Sequence, residues 1–314
     1  SWKNLFLDSV KIRMRADVPI GYTLSGGLDS SSIVAAAAHI SQKNNDERIS
    51  NDNINLFNSS FPNSFNDESQ YAKKLADNLS VPLNKIIFNP QSQYSDLELA
   101  IAQVEDPYLT LPIPMLDTYD CISRKGIKVT LDGHGADELL FGYDSIKKAI
   151  SSSSSFKQIK ELIKIHESTV NGVYSEKAKK IKRKYLKYKF EELLKTIFYK
   201  NYYQLNKKNP KLFSKFRISP INFAEGIKDH PIYEEMDIFN QTLFELFHFT
   251  VLPTLLRNYD RYSMANGVET RMPFMDWRLV CETFSLPLES KIGKGFSKLI
   301  LRDSLKGILI DEIR

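Results

Sequence analysis

The chain has 314 residues, of which 42% are hydrophobic and 26% charged, and this composition is typical of a globular protein with a substantial core. No apolar run approaches the roughly 18–20 residues of a membrane span, and no signal peptide opens the sequence. The formal net charge of +5 is mild, so we expect neither a membrane nor a nucleic-acid partner. Two cysteines, Cys121 and Cys281, fit no metal or redox spacing. We interpret them as small core residues in a cytoplasmic protein.

Strand-like and helix-like segments alternate along residues 1–143, which we interpret as a nucleotide-binding core. The predicted helices are Ser30–Ile40 and Asp67–Leu79. The predicted strands are Pro19–Leu24, Ile54–Phe61, Lys85–Phe88 and Ile127–Leu131. This alternation predicts an α/β fold, with a twisted, mostly parallel sheet that helices cover on both faces.

Residues 144–249 carry no chemical motif, and we interpret them as a helical insertion. They include the serine run 151–155 and a Lys-rich stretch from Lys177 to Arg217, which is typical of a solvated helix face. Residues 250–314 are again dense in motifs, and we expect this C-terminal part to pack on the core.

The first candidate site is the string LSGGLDSS at residues 24–31, between a predicted strand and a predicted helix. Gly26 and Gly27 allow a tight turn, and the serines offer hydroxyl donors. The free N–H groups at the start of the next helix favour an anion such as phosphate. A carboxylate beside phosphates needs a cation between them, so we interpret Asp29 as a Mg²⁺ ligand.

The second candidate site is the string LDGHGADELLFGY at residues 131–143, which also follows a predicted strand. Its glycines permit close approach of a ligand, and Asp137 supplies a second carboxylate. Two carboxylates from two loops, together with phosphate oxygens, would form a Mg²⁺ shell. A third dense segment, residues 257–276, suggests a buried scaffold of ion pairs.

The first string resembles the PP-loop of the ATP pyrophosphatases, in which ATP is cleaved between its α and β phosphates. The three segments together resemble the synthetase domain of class B (glutamine-hydrolysing) asparagine synthetases, and the resemblance covers nearly the whole chain. It extends to the segments Asp17–Pro19, Asp67–Ser69 and Phe296–Arg314. The resemblance implies the adenine nucleotide alpha-hydrolase-like fold, with ATP and Mg²⁺ as ligands.

The resemblance also assigns roles to individual residues. The pyrophosphate-binding set is Ser25, Gly26, Gly27, Asp29 and Ser30. Mg²⁺ would lie at Asp29 and Asp137. The adenosine and AMP contacts would come from Leu24, Ser59, Asp132 and Gly133. Arg257 is placed near the acceptor site.

Three departures from the family pattern stand out. His134 lies where asparagine synthetases usually carry Glu or Asp, the proposed base for the attacking ammonia; histidine can accept that proton, or it can indicate another acceptor. A lysine that neutralises phosphate charge in the family would fall beyond Arg314. No glutaminase nucleophile is present, so we expect an N-terminal glutaminase domain elsewhere in the same polypeptide.

The predicted reaction is the conversion of aspartate, ATP and ammonia to asparagine, AMP and pyrophosphate, with ammonia supplied from glutamine. One alternative is the same adenylation and amide transfer on another carboxylate, such as a uronic acid sugar or a peptide. Two others are a PP-loop protein that modifies tRNA and a non-catalytic ATP-binding relative. The sequence also leaves a homodimer open.

Overall fold

The computed structural model describes residues 1–43, 54–64, 67–89, 97–105, 113–142, 232–293 and 296–314. The chain divides into two compact units. The first comprises Ser1–Tyr143, Leu246–Lys291 and Lys298–Arg314, and the second comprises Asp144–Glu245 and Ile292–Ser297. The predicted helical insertion lies outside the described residues as far as residue 231, and so do the serine run and the whole Lys177–Arg217 stretch.

The first unit is built on a five-stranded sheet in which every neighbouring pair of strands is parallel. Its strands are β1 (Ile20–Thr23), β2 (Ile54–Ser60), β3 (Leu83–Ile87), β4 (Val129–Leu131) and β5 (Glu269–Arg271). Ile20 lies opposite Ile54 on one side and Val129 on the other. The predicted parallel α/β architecture is therefore confirmed.

The helices of the described segments are α1 (Trp2–Arg13), α2 (Leu28–Lys43), α3 (Ser69–Leu79), α4 (Leu97–Val104), α5 (Ile113–Arg124), α6 (Ala136–Leu140), α7 (Ile238–Glu245), α8 (Leu252–Met264), α9 (Trp277–Ser285), α10 (Leu288–Lys291) and α11 (Leu299–Ser304). A π-helical turn at Leu246–Thr250 precedes α8, and a 3₁₀ turn at Pro273–Met275 precedes α9. None of the helices described has the length and apolar character that crossing a bilayer requires.

The described part of the second unit contains a 3₁₀ turn at Tyr233–Glu235, helix α7, and the antiparallel strands β6 (Ile292–Gly293) and β7 (Phe296–Ser297). Within it, the Tyr233 hydroxyl donates to the Glu245 carboxylate at 2.6 Å.

Side chains of the sheet pack into two apolar clusters, one on each face. Successive residues of a strand point to opposite faces, and Leu56 and Phe57 of β2 accordingly belong to different clusters. The Leu56 cluster includes residues of α1, α2 and α3, whereas the Phe57 cluster includes residues of α4 and α5. Both faces of the sheet are therefore covered, as expected for parallel strands.

Helix α3 shows how sequence sets the start and end of an element. The Asp67 carboxylate accepts the backbone N–H of Ser69 at 3.0 Å in a turn before the helix, so α3 begins two residues later than predicted. Its buried face is formed by Ala72, Leu75 and Ala76. Ser80 ends the helix in the left-handed conformation, with φ of 55°.

Polar contacts connect α1 with the 3₁₀ turn at Pro273–Met275 and with α9. The Trp2 indole N–H donates to the Thr283 hydroxyl at 2.8 Å, and the Ser9 hydroxyl donates to the Pro273 carbonyl at 2.5 Å.

The two cysteines differ in burial. Cys281 is exposed, so its assignment as a core residue is wrong, and Cys121 is partly buried. Cys281 lies on the exposed face of α9, whereas Leu279 and Thr283 lie on the buried face.

The order of the strands, β3-β2-β1-β4-β5, reverses direction between β1 and β4. In open α/β sheets, ligands bind beyond the carboxyl ends of the strands at such a switch point. The two glycine-rich strings at 24–31 and 131–143 follow β1 and β4 directly. The topology thus brings both predicted loops to one crevice.

Candidate active site

The loop after β1 is held in shape by its own serines and by β2. The Leu24 N–H donates to the Phe57 carbonyl at 2.8 Å, and the Asn58 amide donates to the Leu24 carbonyl at 2.8 Å. The Ser30 hydroxyl accepts the Ser25 N–H at 3.1 Å and lies 2.9 Å from the Ser25 hydroxyl. These bonds fix the turn so that the start of α2 faces the crevice.

Gly26 is required by the close approach of α3. Its φ is +103°, and a Cβ there would overlap the Glu68 carbonyl oxygen. The Glu68 carboxylate lies against Gly27, and burial raises the pKa of Glu68 although the nearby Lys298 lowers it. The segment Asp67–Ser69 therefore packs against the first loop at Gly26 and Gly27.

The loop after β4 begins at Asp132, whose N–H donates to the Arg271 carbonyl at 2.9 Å. The Asp132 side chain is fully buried and accepts the Tyr119 hydroxyl at 2.7 Å. Burial raises the pKa of Tyr119 well above its ordinary value, and the Asp132 charge raises it further, so the phenol keeps its proton. This bond fixes one oxygen of Asp132 at the base of the crevice.

Asp29, at the start of α2, and Asp137, in α6, meet at a single cation, the ammonium group of Lys298. Lys298 Nζ lies 2.5 Å from Asp29 Oδ2 and also contacts Asp137 Oδ1. Burial raises the pKa of Asp29 to about 6, against the lowering effect of Lys298. Burial alone would lower the pKa of Lys298, but the two carboxylates outweigh it and the pKa is raised. Lys298 is therefore charged at neutral pH.

His134 lies in the same loop, with its ring against Tyr259 at a centroid distance of 3.9 Å. Its Nδ1 is buried without a hydrogen-bond partner, 3.9 Å from Asp132 Oδ2. Burial lowers the pKa of His134 below its ordinary value of 6.5, although Asp132 and Asp137 act in the opposite direction. The imidazole is therefore neutral at pH 7 and able to accept a proton.

Asp29, Asp132, His134 and Asp137 line one cavity of about 280 Å³ in the first unit. Its polar lining includes Ser25, Asp29 and Asp137, and its apolar lining includes Phe57 and Met115. A cavity that combines apolar surface with groups able to bind anions and cations suits a nucleotide.

Most of the predicted site residues come together here. Those that line the cavity are Leu24, Ser25, Asp29, Ser30, Ser59, Asp132, Gly133, His134 and Asp137. Gly26 and Gly27 shape the loop behind them. Arg257 is exposed and is not among the lining residues. Its acceptor role stays a prediction.

Sequence reasoning missed the position of Lys298, which it treated only as part of the match at 296–314, and it expected the charge-neutralising lysine beyond Arg314. It also missed Tyr119, Tyr259 and Gly142. The available signal for Lys298 was a lysine directly before a short helix, and that pattern alone indicates no partner.

The donor set fits a metal that arrives with a nucleotide. Among the described residues, no group of three or more His, Cys, Asp and Glu could hold an ion by itself. Asp29 and Asp137 nevertheless converge on one cation, and Asp29 Oδ1 is buried without a partner. Mg²⁺ typically takes one or two protein carboxylates and completes its shell with phosphate oxygens and water.

The parallel sheet and the serine- and glycine-rich loop at its switch point define an α/β synthetase domain of the PP-loop class. The chain belongs to the asparagine synthase family, whose profile matches residues 1–314. The resemblance inferred from the sequence is therefore confirmed.

Individual relatives are distant but extend along the whole chain. The chain is 26% identical to glutamine-hydrolyzing asparagine synthetase 1 of Bacillus subtilis (strain 168), over 99% of its own length and 47% of the relative's. It is 28% identical to Amidase chyE of Penicillium rubens, over 98% of its own length and 49% of the relative's. The chain thus spans about half the length of these curated relatives.

Proposed function

We propose that this domain activates a carboxylate as its acyl-adenylate with ATP and forms an amide when ammonia displaces AMP. Aspartate is the proposed acceptor, with asparagine, AMP and pyrophosphate as products. The observation that carries the proposal is the meeting of Asp29 and Asp137 on one cation, at the switch point of the sheet.

The phosphate end of ATP would be bound by the loop after β1. The Ser25 and Ser30 hydroxyls, which lie together at 2.9 Å, would donate to phosphate oxygens, and the start of α2 favours negative charge. Asp29 and Asp137 would hold Mg²⁺, which when bound neutralises charge on the departing pyrophosphate. Lys298 would supply a further positive charge beside the same oxygens.

The adenosine end would lie against the other wall of the cavity. Leu24 and Phe57 offer apolar surface, and the Ser59 hydroxyl, 2.6 Å from the Thr118 hydroxyl, can reorient towards a polar edge of the nucleotide. Asp132 and Gly133 would lie beside the AMP portion, as the family resemblance implies. This orientation leaves the α-phosphate near the loop after β4.

Two bonds change in each half-reaction. A substrate carboxylate oxygen attacks the α-phosphorus and pyrophosphate leaves; ammonia then attacks the acyl carbon, and AMP leaves with the acyl oxygen. The nitrogen must lose a proton in the second step, and neutral His134 can accept it at Nε2. Asp132, 3.9 Å from Nδ1, would stabilise the imidazolium that forms.

A second acceptor class is favoured by His134, which replaces the acid usual at this position in asparagine synthetases. Not every relative of similar identity is named as an asparagine synthetase, as Amidase chyE illustrates. A uronic acid sugar or a peptide carboxylate would use the same adenylation chemistry. Arg257 would have to approach the cavity to bind any of these acceptors.

The proposal also includes the source of the ammonia and the location of the protein in the cell. The Bacillus relatives are named as glutamine-hydrolyzing, which supports glutamine as the source and a glutaminase domain in the same polypeptide. Both cysteines are free, in keeping with the proposed cytoplasmic location. The tRNA-modifying alternative rested on Lys177–Arg217, and family membership favours amide formation instead.

The test is carboxylate-dependent exchange of labelled pyrophosphate into ATP, measured with the full-length protein across a panel of carboxylates. Aspartate should stimulate exchange most strongly. Stimulation by a uronic acid or a peptide alone would support the second acceptor class. Tight ATP·Mg²⁺ binding without exchange on any carboxylate would contradict an enzymatic role.

Substitution tests the assigned residues. Asp29→Asn should reduce exchange by about 10²–10³-fold, the usual effect of losing one preorganised electrostatic contact. Asp77→Asn is the matched control, because the Asp77 side chain is 61% exposed and pairs with Lys73 on the surface of α3. If Asp29→Asn exchanged pyrophosphate at the rate of the control, the proposed site would be wrong.

A further inference from the structure

The Lys298 ammonium occupies the place where the proposed function puts a divalent cation. Its Nζ lies between one oxygen of Asp29, at 2.5 Å, and one of Asp137. The Lys298 residue is 8% exposed, whereas the side chains of Asp29 and Asp137 are 20% and 32% exposed, so a buried base meets two acids at the edge of the solvent. Its partners are 269 and 161 residues away along the chain, and the fold alone brings them together.

The backbone holds Lys298 at this point. Its φ and ψ are 56° and 36°, in the left-handed region that side chains other than glycine rarely adopt. Such a conformation persists only where the surrounding structure over-determines it, and it concentrates at functional sites. Lys298 also directly precedes α11, so the start of that helix fixes the root of its side chain.

Gly142 provides the space for the triad. A Cβ on Gly142 would overlap the Asp137 carboxylate and the Cε of Lys298. The φ of Gly142 is not positive, so the backbone itself would accept another residue. The requirement for glycine therefore comes from the close approach of the ion pair. We regard Gly142 as a positioning residue for both side chains.

Two carboxylates held close together in a partly buried site repel, and an unpaired buried charge is strongly unfavourable. An ammonium group between them relieves part of that repulsion in the nucleotide-free protein. A divalent cation would relieve more of it, but both cations cannot occupy the same position. Lysine has a flexible four-carbon stem, so its head can move by several ångströms without backbone change.

We propose that Lys298 is an internal counter-cation that holds the metal position when no nucleotide is bound and moves onto phosphate oxygens when the metal arrives. This rests on the proposed function only in taking Asp29 and Asp137 as the metal ligands. Displacement by a free metal would leave the ammonium buried without an acid. Displacement by a metal–polyphosphate complex supplies new anionic partners. The site therefore rejects free divalent metal and accepts it with the nucleotide.

The test titrates Mn²⁺ alone, without nucleotide or carboxylate, into the full-length protein at pH 8, with paramagnetic resonance reporting free metal. Wild-type protein should bind Mn²⁺ weakly at this site. Lys298→Met should bind it about tenfold or more tightly, because a unit charge at contact distance interacts by well over thermal energy even in a screened protein environment. Lys306→Met, on the exposed surface, is the control and should match wild type.

In the presence of pyrophosphate the difference in Mn²⁺ affinity between wild type and Lys298→Met should become smaller. Wild-type protein gains Mn²⁺ affinity because the ammonium finds phosphate partners, and Lys298→Met gains less. Equal affinity of wild type and Lys298→Met for Mn²⁺ alone would overturn the proposal. So would wild-type binding of Mn²⁺ alone that pyrophosphate does not strengthen.

A measurement on wild-type protein tests the proposal even if Lys298→Met fails to fold. Amine-selective labelling followed by mass spectrometry should modify Lys298 far more slowly than the exposed Lys306 in the nucleotide-free state. Equal labelling rates would refute the resident ion pair. None of these measurements uses an acceptor carboxylate. The inference can therefore fail while carboxylate-dependent exchange persists, and the reverse also holds.

Discussion

Replacement of Gly142 by alanine adds one methyl group at the centre of the candidate site. The new Cβ would overlap the Asp137 carboxylate and the Lys298 Cε, so at least one of these side chains must move. Lys298 is 8% exposed and the Asp137 side chain is 32% exposed, so the ends of these side chains give way by leaving their present positions. The substitution therefore displaces the two charges without removing either of them.

Inserting one methyl group into a packed site costs about 1–3 kcal/mol of stability, because neighbouring groups are forced from their preferred positions. A displacement of about 1 Å in a catalytic group can lower the rate by about 10²-fold. We therefore expect Gly142→Ala to fold with reduced stability and to lose pyrophosphate exchange by about two orders of magnitude.

Gly126→Ala is the matched control. Gly126 has a φ of +78°, and a Cβ there meets nothing within 4 Å. Alanine in this conformation costs about 1 kcal/mol through backbone strain, without touching the site. The two variants should thus lose comparable stability but differ in exchange.

The assay compares urea unfolding with carboxylate-dependent pyrophosphate exchange for both variants of the full-length protein. Exchange by Gly142→Ala at the wild-type rate would refute the reasoning. An equal loss of exchange in Gly126→Ala would also refute it, because the effect would then follow from stability and not from the position of the ion pair.

Two further predictions concern groups with shifted pKa values. With free ammonia kept saturating at every pH, the rate of amide formation should fall only below pH 6.5, because burial lowers the pKa of His134. His134→Gln should remove this acid limb, and an unchanged pH profile in the variant would exclude His134 as the base. The pKa of Asp276 is about 2, below its ordinary 3.8, chiefly through hydrogen bonds from Arg278 and Arg13, which lie 2.9 and 3.1 Å from Oδ2. This difference corresponds to about 2 kcal/mol of stability that is fully present above pH 4 and lost as the pH falls towards 2. Asp276→Asn should accordingly lower the free energy of unfolding at pH 7 by at least that amount, whereas the exposed Asp120→Asn should change it by less than about 1 kcal/mol; equal effects in urea titrations would contradict the assignment.

The charged segment at residues 257–276 illustrates partial success of the sequence prediction. Asp276 is buried and paired, as a scaffold of ion pairs requires, but Arg257 and Asp260 are exposed. The density of charged residues predicted that some would be paired. It could not identify which of them would be buried, because helix α8 turns only one side towards α5 and the sheet.

The sequence alone determined the local chemistry of this protein. Strings of a strand followed by glycines predicted the two loops, and the acids at Asp29 and Asp137 indicated a cation. The patterns also predicted two helices and four strands with bounds within about three residues of those observed, but not the remaining helices or β5. These features were predictable from the sequence because each depends on residues close together in the chain.

Only the tertiary structure decided which groups share the site. The strand order β3-β2-β1-β4-β5 brings the two loops together, and the cation that meets their acids is Lys298, from the far end of the chain. Likewise, glycine is required at position 142 because a Cβ there would overlap Asp137 and Lys298. His134 lies close to Asp132 of its own loop and also packs against Tyr259, which is distant in the sequence. Contacts of this kind follow from how strands pair and helices pack, and no local pattern encodes them.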